Sequence, residues 1–193
     1  CKELSDINLK VRGDLNKLKK SIMLNKSDVE NNLINLISKI GEKITIRRSK
    51  YFDQTNGKIF FYVHSAIDNN IGKIISAVQL SQVKNSDIKD FGKKIAMHIA
   101  ASNPIALDSK SINKEVIDKE LEIIKAELIN SGKKEDIIDK ISKGKINKFI
   151  SDNTLIDQAW IMDPEKKVKD ILQSFDKDLK IIDFERFKVG EGV

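Results

Sequence analysis

Apolar residues change their spacing several times along this chain, and each change marks a boundary between helical and extended stretches. Val29, Leu33, Leu36, Ile37 and Ile40 recur at intervals of three and four, the spacing of one helix face. Ser27-Asp28-Val29-Glu30 precedes them as an S-x-x-E capping box and Gly41 follows in the C-terminal cap position, so a helix over about 28–40 is predicted. The period then falls to two. Ile44 and Ile46 alternate with Lys43, Thr45 and Arg47, and the β-rich runs Ile59 to Val63 and Ile71 to Leu80 are punctuated by Gly57 and by Asp68-Asn69-Asn70. Three antiparallel strands are the simplest reading.

Helical spacing returns after Ser86, with Ile88, Phe91, Ile95 and Ile99 on one face and Ala96, Ala100 and Ala101 as small neighbours, until Pro104 stops it. Ile117, Leu121, Ile124 and Leu128 then form a coiled-coil-like seam, and Ile137, Ile138, Ile141, Ile146 and Phe149 form another beyond Gly132-Lys133-Lys134. Two amphipathic helices joined by so short a turn make an antiparallel hairpin. Asp163-Pro164-Glu165 reads as a further helix start, with Val168, Ile171, Leu172 and Phe175 on its buried side. Residues 179–189 read as a final strand. Ile182 and Phe184 share one parity while Phe187 and Val189 share the other, which predicts a β-bulge near Glu185-Arg186. Sheet-forming segments on both sides of a helical hairpin give an α+β fold: two sheet-and-helix subdomains, 1–55 and 56–105 with 156–193, and an inserted helical arm over 106–155.

Composition narrows the function classes. The 193 residues are 40% hydrophobic and 33% charged with only 2 Pro, enough to build a core and unlike a disordered chain. No apolar run approaches the ~18–20 residues of a membrane helix. The net charge of +6 is spread thinly: residues 1–55 carry 12 basic and 7 acidic groups, and the arm carries 10 of each. Of the 35 basic residues 31 are lysine, and aromatics are only 6%, so no nucleic-acid footprint of clustered arginine and stacking rings is expected. RNA binding through the basic first segment ranks last among the readings. One cysteine, Cys1, points to a reducing compartment, and with no initiator Met and no leader the chain reads as part of something longer.

Catalytic chemistry finds no foothold. His64 and His98 are the only histidines, lie in different elements and have no thiolate partners, so neither a metal nor a cofactor is expected. The Gly-Lys pairs at 57, 72, 132 and 144 lack the spacing of a phosphate loop. No nucleophile elbow exists, and exposed pairs such as Asp183 with Glu185 are ordinary strand positions. A core with a projecting arm and no reacting centre suits protein binding.

Specific strings sharpen that reading. Ile40-Gly41-Glu42-Lys43-Ile44-Thr45-Ile46-Arg47-Arg48 resembles the I-G-E-N-I-x-I-R-R segment of the elongation factor Ts family. Tyr62-Val63-His64 with Ile71-Gly72, Met97 to Ser102, Gly144 to Phe149, Gln158 to Pro164 and Phe187 to Gly192 are similar to five more of its motifs, in family order from about residue 28 onward. The resemblance implies a guanine-nucleotide exchange factor for elongation factor Tu in the bacterial cytoplasm, or in an organelle, acting without bond chemistry.

It also implies contacts to that partner from Ile40, Gly41, His64, Ile161 and Met162. Read on their own, Ile40 and Gly41 are the last core residue of a helix and its left-handed cap, and His98, inside an alanine-rich helix, is a packed core residue. Trp160, Ile161 and Met162 cannot all face inward from one extended segment, so at least one is expected at the surface. The family's opening helical module, its T-D-F-V motif and its C-terminal module have no counterpart in these residues. The other reading is a structural fragment that binds elongation factor Tu without efficient exchange, or forms a homodimer through the helical arm.

Overall fold

The computed structural model describes residues 1–82 and 86–191 and divides into two compact units, 1–53 and 54–193. Gly192, which ends the last of the six motifs, lies outside the described residues.

The first unit is helical: α1 (Lys2–Lys10), α2 (Leu15–Lys20) and α3 (Val29–Ile40). Its small core gathers Ile7, Leu18 and Val29, with Leu4, Val11, Leu15, Met23 and Ile46 against it. The predicted helix 28–40 is present, although the cap differs from the expected box. Asp28, not Ser27, is the N-cap, and its carboxylate accepts from the Asn31 backbone N–H at 2.7 Å. Gly41 closes the helix at φ +79, a left-handed conformation that glycine adopts freely. The expected strand at Ile44–Arg47 is absent. Ile44 and Ile46 are half-buried and Thr45 and Arg47 exposed, so the alternation holds, but the segment pairs with no other strand. Side-chain anchors take the place of a ladder nearby: Asn8 donates to the Lys50 carbonyl at 2.9 Å and Ser49 to the Gly13 carbonyl at 2.6 Å.

The second unit holds a three-stranded antiparallel sheet of β1 (Lys58–Asp68), β2 (Ile71–Leu80) and β5 (Ile181–Lys188), in the order β1-β2-β5. The third strand of the sheet is thus the last of the chain. One face packs on α4 (Ile88–Ser102), whose Ile95, Ala96 and Ile99 are fully buried. Gly92 lets the Phe60 ring lie directly on the helix, in the space that a Cβ would take. Ser76 on β2 donates to the Ala96 carbonyl at 2.6 Å. Arg186 on β5 donates through Nε to the Ala100 carbonyl at 3.0 Å and pairs with Glu191 at 2.7 Å, which satisfies one of the orphan carbonyls at that helix end.

The bulge of the last strand lies elsewhere than expected. Residues 183–188 pair regularly with Gln79 back to Ile74, and the register shifts between Asp183 and Ile181, leaving Ile182 as the extra residue. That slip turns Ile181 and Phe184, three apart, onto the same core-facing side.

Between the two halves of this unit projects the arm, α5 (Lys114–Asn130) and α6 (Glu135–Asn153). Ile124, Leu128 and Ile138 form its own buried seam, with Ile141 and Ile146 beside it. Its entry and exit run side by side as a parallel bridge, Ala106 with Thr154: Ile105 N–H donates to the Asn153 carbonyl at 3.0 Å and Leu155 N–H to the Ala106 carbonyl at 2.9 Å.

After the arm come β3 (Ala159–Trp160), β4 (Asp163–Lys167) and α7 (Val168–Phe175). The expected helix start at Asp163-Pro164 is a strand instead. The helix opens four residues later, where Asp170 accepts from the Lys167 backbone N–H at 2.9 Å. Leu155, Trp160, Val168, Leu172, Leu179 and Ile181 complete the core with α4 and β2. Phe91 and Phe175 stack within it at 4.1 Å.

Candidate functional site

The β3–β4 hairpin turns through two residues, Ile161 and Met162, and both stand at the surface, 40% and 46% exposed. Trp160, immediately before them, is 5% exposed. One large apolar side chain of the three therefore faces inward and two outward. Asp163 and Lys166 make an ion pair of 2.7 Å just beyond the turn, and the hydrogen bond from that ammonium holds the Asp163 carboxyl below the usual carboxylate range.

What fixes this tip is a buried polar chain that the sequence did not disclose. The Gln158 amide nitrogen donates to the carbonyls of Asp152 at 2.8 Å and Ser102 at 3.2 Å. Carbonyls only accept, so the Gln158 oxygen must face His98 Nε2, 3.0 Å away, and His98 must carry its proton there. Nδ1 is then a lone-pair acceptor. Both groups near it are donors: the Ile161 backbone N–H at 3.4 Å and the Ser102 hydroxyl at 3.4 Å. The ring is fully buried and stacked on Trp160 at 5.1 Å. Desolvation holds its pKa below the ordinary histidine value, against the smaller opposing pull of the Gln158 bond. His98 is the packed residue that its alanine-rich helix suggested, and it also touches the tip. Its partners Gln158 and Trp160 stand in the same seven-residue string as Ile161 and Met162, which was the available signal.

His64 lies on β1 opposite Ile74 and is exposed, with Tyr62 Oη 3.2 Å from its Nδ1. The backbone turns sharply beside it, with Ser65 at φ +51 and a register shift between Ala66 and Asp68. No hydrogen bond joins His64 to the tip among the described residues. Ile40 and Gly41 belong to the first unit. Ile40 is not the last core residue of its helix: it is 54% exposed, with Ile34 and Leu36 also exposed on α3. The helix buries Val29 and half-buries Leu33 and Ile37, and leaves the rest of its apolar stripe uncovered.

Among the described residues no group of three or more His, Cys, Asp or Glu could hold a metal ion, and no helix is long and apolar enough to cross a membrane. Ile40, Ile161 and Met162 each present a large apolar side chain at the surface, 54%, 40% and 46% exposed.

The chain belongs to the elongation factor Ts family: the profile described as Elongation factor TS matches residues 2–191, including residues 2–27, which the motif resemblance leaves aside. It is similar to elongation factor Ts of Gluconobacter oxydans, at 35% identity over 192 residues, 99% of this chain and 63% of that protein. Elongation factor Ts of Clostridium kluyveri is 38% identical over 170 residues, 86% of this chain and 54% of its own. That of Bdellovibrio bacteriovorus is 38% identical over 161 residues, 80% and 52%. The chain thus spans 52–63% of the length of these relatives.

Proposed function

We propose that this chain is the core-and-arm portion of a guanine-nucleotide exchange factor that binds elongation factor Tu and promotes release of its GDP in the cytoplasm. Support comes from family membership, and the observation that carries it is the exposed Ile161–Met162 turn, whose first amide donates to His98 Nδ1 while Gln158 holds the other side of that ring. A rigid apolar tip places large side chains at a partner with little ordering entropy left to lose. Ile40 and Gly41 at the end of α3 and His64 on β1 would add contacts from their own elements.

Exchange needs no bond chemistry. A factor that binds the nucleotide-free partner more tightly than the GDP form must weaken GDP binding by the same factor, since coupling between two ligands is reciprocal.

The test is titration of elongation factor Tu with this chain, followed by release of a fluorescent GDP analogue. Met162→Ala and Ile161→Ala should each weaken binding about tenfold, the ~1.4 kcal/mol of a buried aliphatic contact. Unchanged affinity in both would remove the tip from the interface. Light scattering of the chain alone separates this reading from an arm-mediated homodimer, which forms without elongation factor Tu.

A further inference from the structure

His98 makes no claim on a partner by contact, because it is fully buried, yet it is joined to the exposed tip through the first amide of the turn. We infer that His98 is a positioning residue: a neutral imidazole, protonated at Nε2, whose Nδ1 lone pair accepts the Ile161 N–H and so sets where the Ile161–Met162 turn stands. The consequence for binding rests on the role proposed above for that turn; the consequence for the turn itself does not.

Orientation propagates in one direction along the chain of bonds. Two backbone carbonyls at the arm's exit and the end of α4 fix the Gln158 amide, the amide fixes the imidazole tautomer, and the tautomer leaves an acceptor, not a donor, under the turn. The opposite tautomer would set Nδ1–H against the Ile161 N–H and leave two acceptors, the Gln158 oxygen and Nε2, facing each other. Trp160 closes the ring plane from one side and prevents the imidazole from rotating away from either bond. A histidine is suited to this position because its two nitrogens reach in opposite directions with opposite roles, whereas a side-chain amide can reach only one of the two partners.

That difference supplies the test. His98→Asn puts an acceptor near the Nδ1 position and gives up the Gln158 bond. His98→Gln reaches toward Gln158 and leaves the Ile161 N–H without its acceptor. Hydrogen exchange of the Ile161 amide should quicken about tenfold in His98→Gln and change by less than about threefold in His98→Asn. Affinity for elongation factor Tu should follow the same order. Equal effects of the two substitutions would mean that His98 only fills space, and would overturn the inference. A second measurement needs no variant: long-range proton–nitrogen correlation of the unsubstituted protein should show the His98 proton on Nε2 and a bare Nδ1. A proton on Nδ1 overturns it outright. If the exchange and tautomer results stand while Met162→Ala and Ile161→Ala leave affinity unchanged, His98 positions the turn and the turn is not the interface.

Discussion

The imidazole of His98 lies against the indole of Trp160, ring centroids 5.1 Å apart and planes inclined by 26°, both rings buried within the second unit. Trp160 is the only tryptophan of the chain, so its fluorescence reports unfolding at the point where the buried histidine sits.

The burial of His98 makes stability depend on pH with a definite sign. Burial lowers the folded-state pKa of His98 from its ordinary 6.5, so below that value the unfolded chain binds the extra proton and the folded chain does not. The contribution is complete above about pH 6.5 and is lost as pH falls from there toward the folded pKa, at up to ~1.4 kcal/mol per pH unit. Denaturant unfolding followed by Trp160 fluorescence between pH 7 and 5 should show this slope, and His98→Asn should flatten it. Equal slopes in the two proteins would show that other groups carry the dependence.

Gly92 gives a second expectation. Alanine would gain up to ~1 kcal/mol of helix propensity there, but its Cβ would meet three atoms of the Phe60 ring, and overpacking of that kind costs about 1–3 kcal/mol. The second effect wins because the contact is with the base of the ring and not with a flexible tip. Gly92→Ala should lower the unfolding midpoint, and Gly92→Ala with Phe60→Leu should recover part of the loss.

Two adjacent isoleucines test the displaced bulge. Ile181 is 7% exposed and Ile182 40%, although a regular strand would distribute their neighbours Phe184 and Arg186 differently. Ile181→Ala should cost about 2–4 kcal/mol of stability and Ile182→Thr less than about 1. Similar losses at both sites would place the extra residue elsewhere.

Removing Asn113 to Ile150 and joining the ends with a short Gly/Ser linker should leave a second unit that unfolds cooperatively. The arm's seam of Ile124, Leu128 and Ile138 is separate from the main core, and its surface pairs, Lys125 with Asp139 and Lys145 with Glu127, connect the two arm helices only to each other. Loss of the cooperative transition would show that the arm helps to hold the core.

The chain as it stands should bind elongation factor Tu but accelerate GDP release less than a full-length relative. Contacts made equally to the GDP-bound and nucleotide-free partner shift no equilibrium, and the T-D-F-V string of the family resemblance does not occur among these 193 residues. Equal acceleration by both proteins in stopped-flow release of a fluorescent GDP analogue would assign the exchange mechanism to the core.

The helices were legible wherever a long apolar period met a clear stop, as at Ile40-Gly41 and Ser102-Asn103-Pro104. Short signals were not. Ile44 and Ile46 keep an inward-outward alternation, but the alternation is a property of extended chain and does not supply a neighbouring strand to pair with. Asp163-Pro164 carries the residues of a helix start, and the requirement that Trp160 enter the core made it the far side of a tight hairpin instead. Parity within one strand points to a bulge but not to its place, which is set by the isoleucine that meets the core beside Phe184. At the site, apolar crowding in one segment shows that at least one of Trp160, Ile161 and Met162 must reach the surface, and the family resemblance singles out Ile161 and Met162. The bonds behind them could not be read from the sequence, because Gln158 and Ile161 stand 60 and 63 residues from His98 and only the fold brings them to the imidazole.

The bridge between Ala106 and Thr154 bears on how such a chain folds at all. Closing a flexible loop across the 48-residue separation of these two positions would cost ~3 kcal/mol in chain entropy before any contact rewarded it. An arm that zips from its tip, by contacts between near neighbours in sequence, delivers the two ends already side by side. The strand that must return to β2 from a hundred residues away then closes a path of about half that length, through residues 81–105 and 155–180, so a topology that looks slow by its sequence separations is reached in shorter steps.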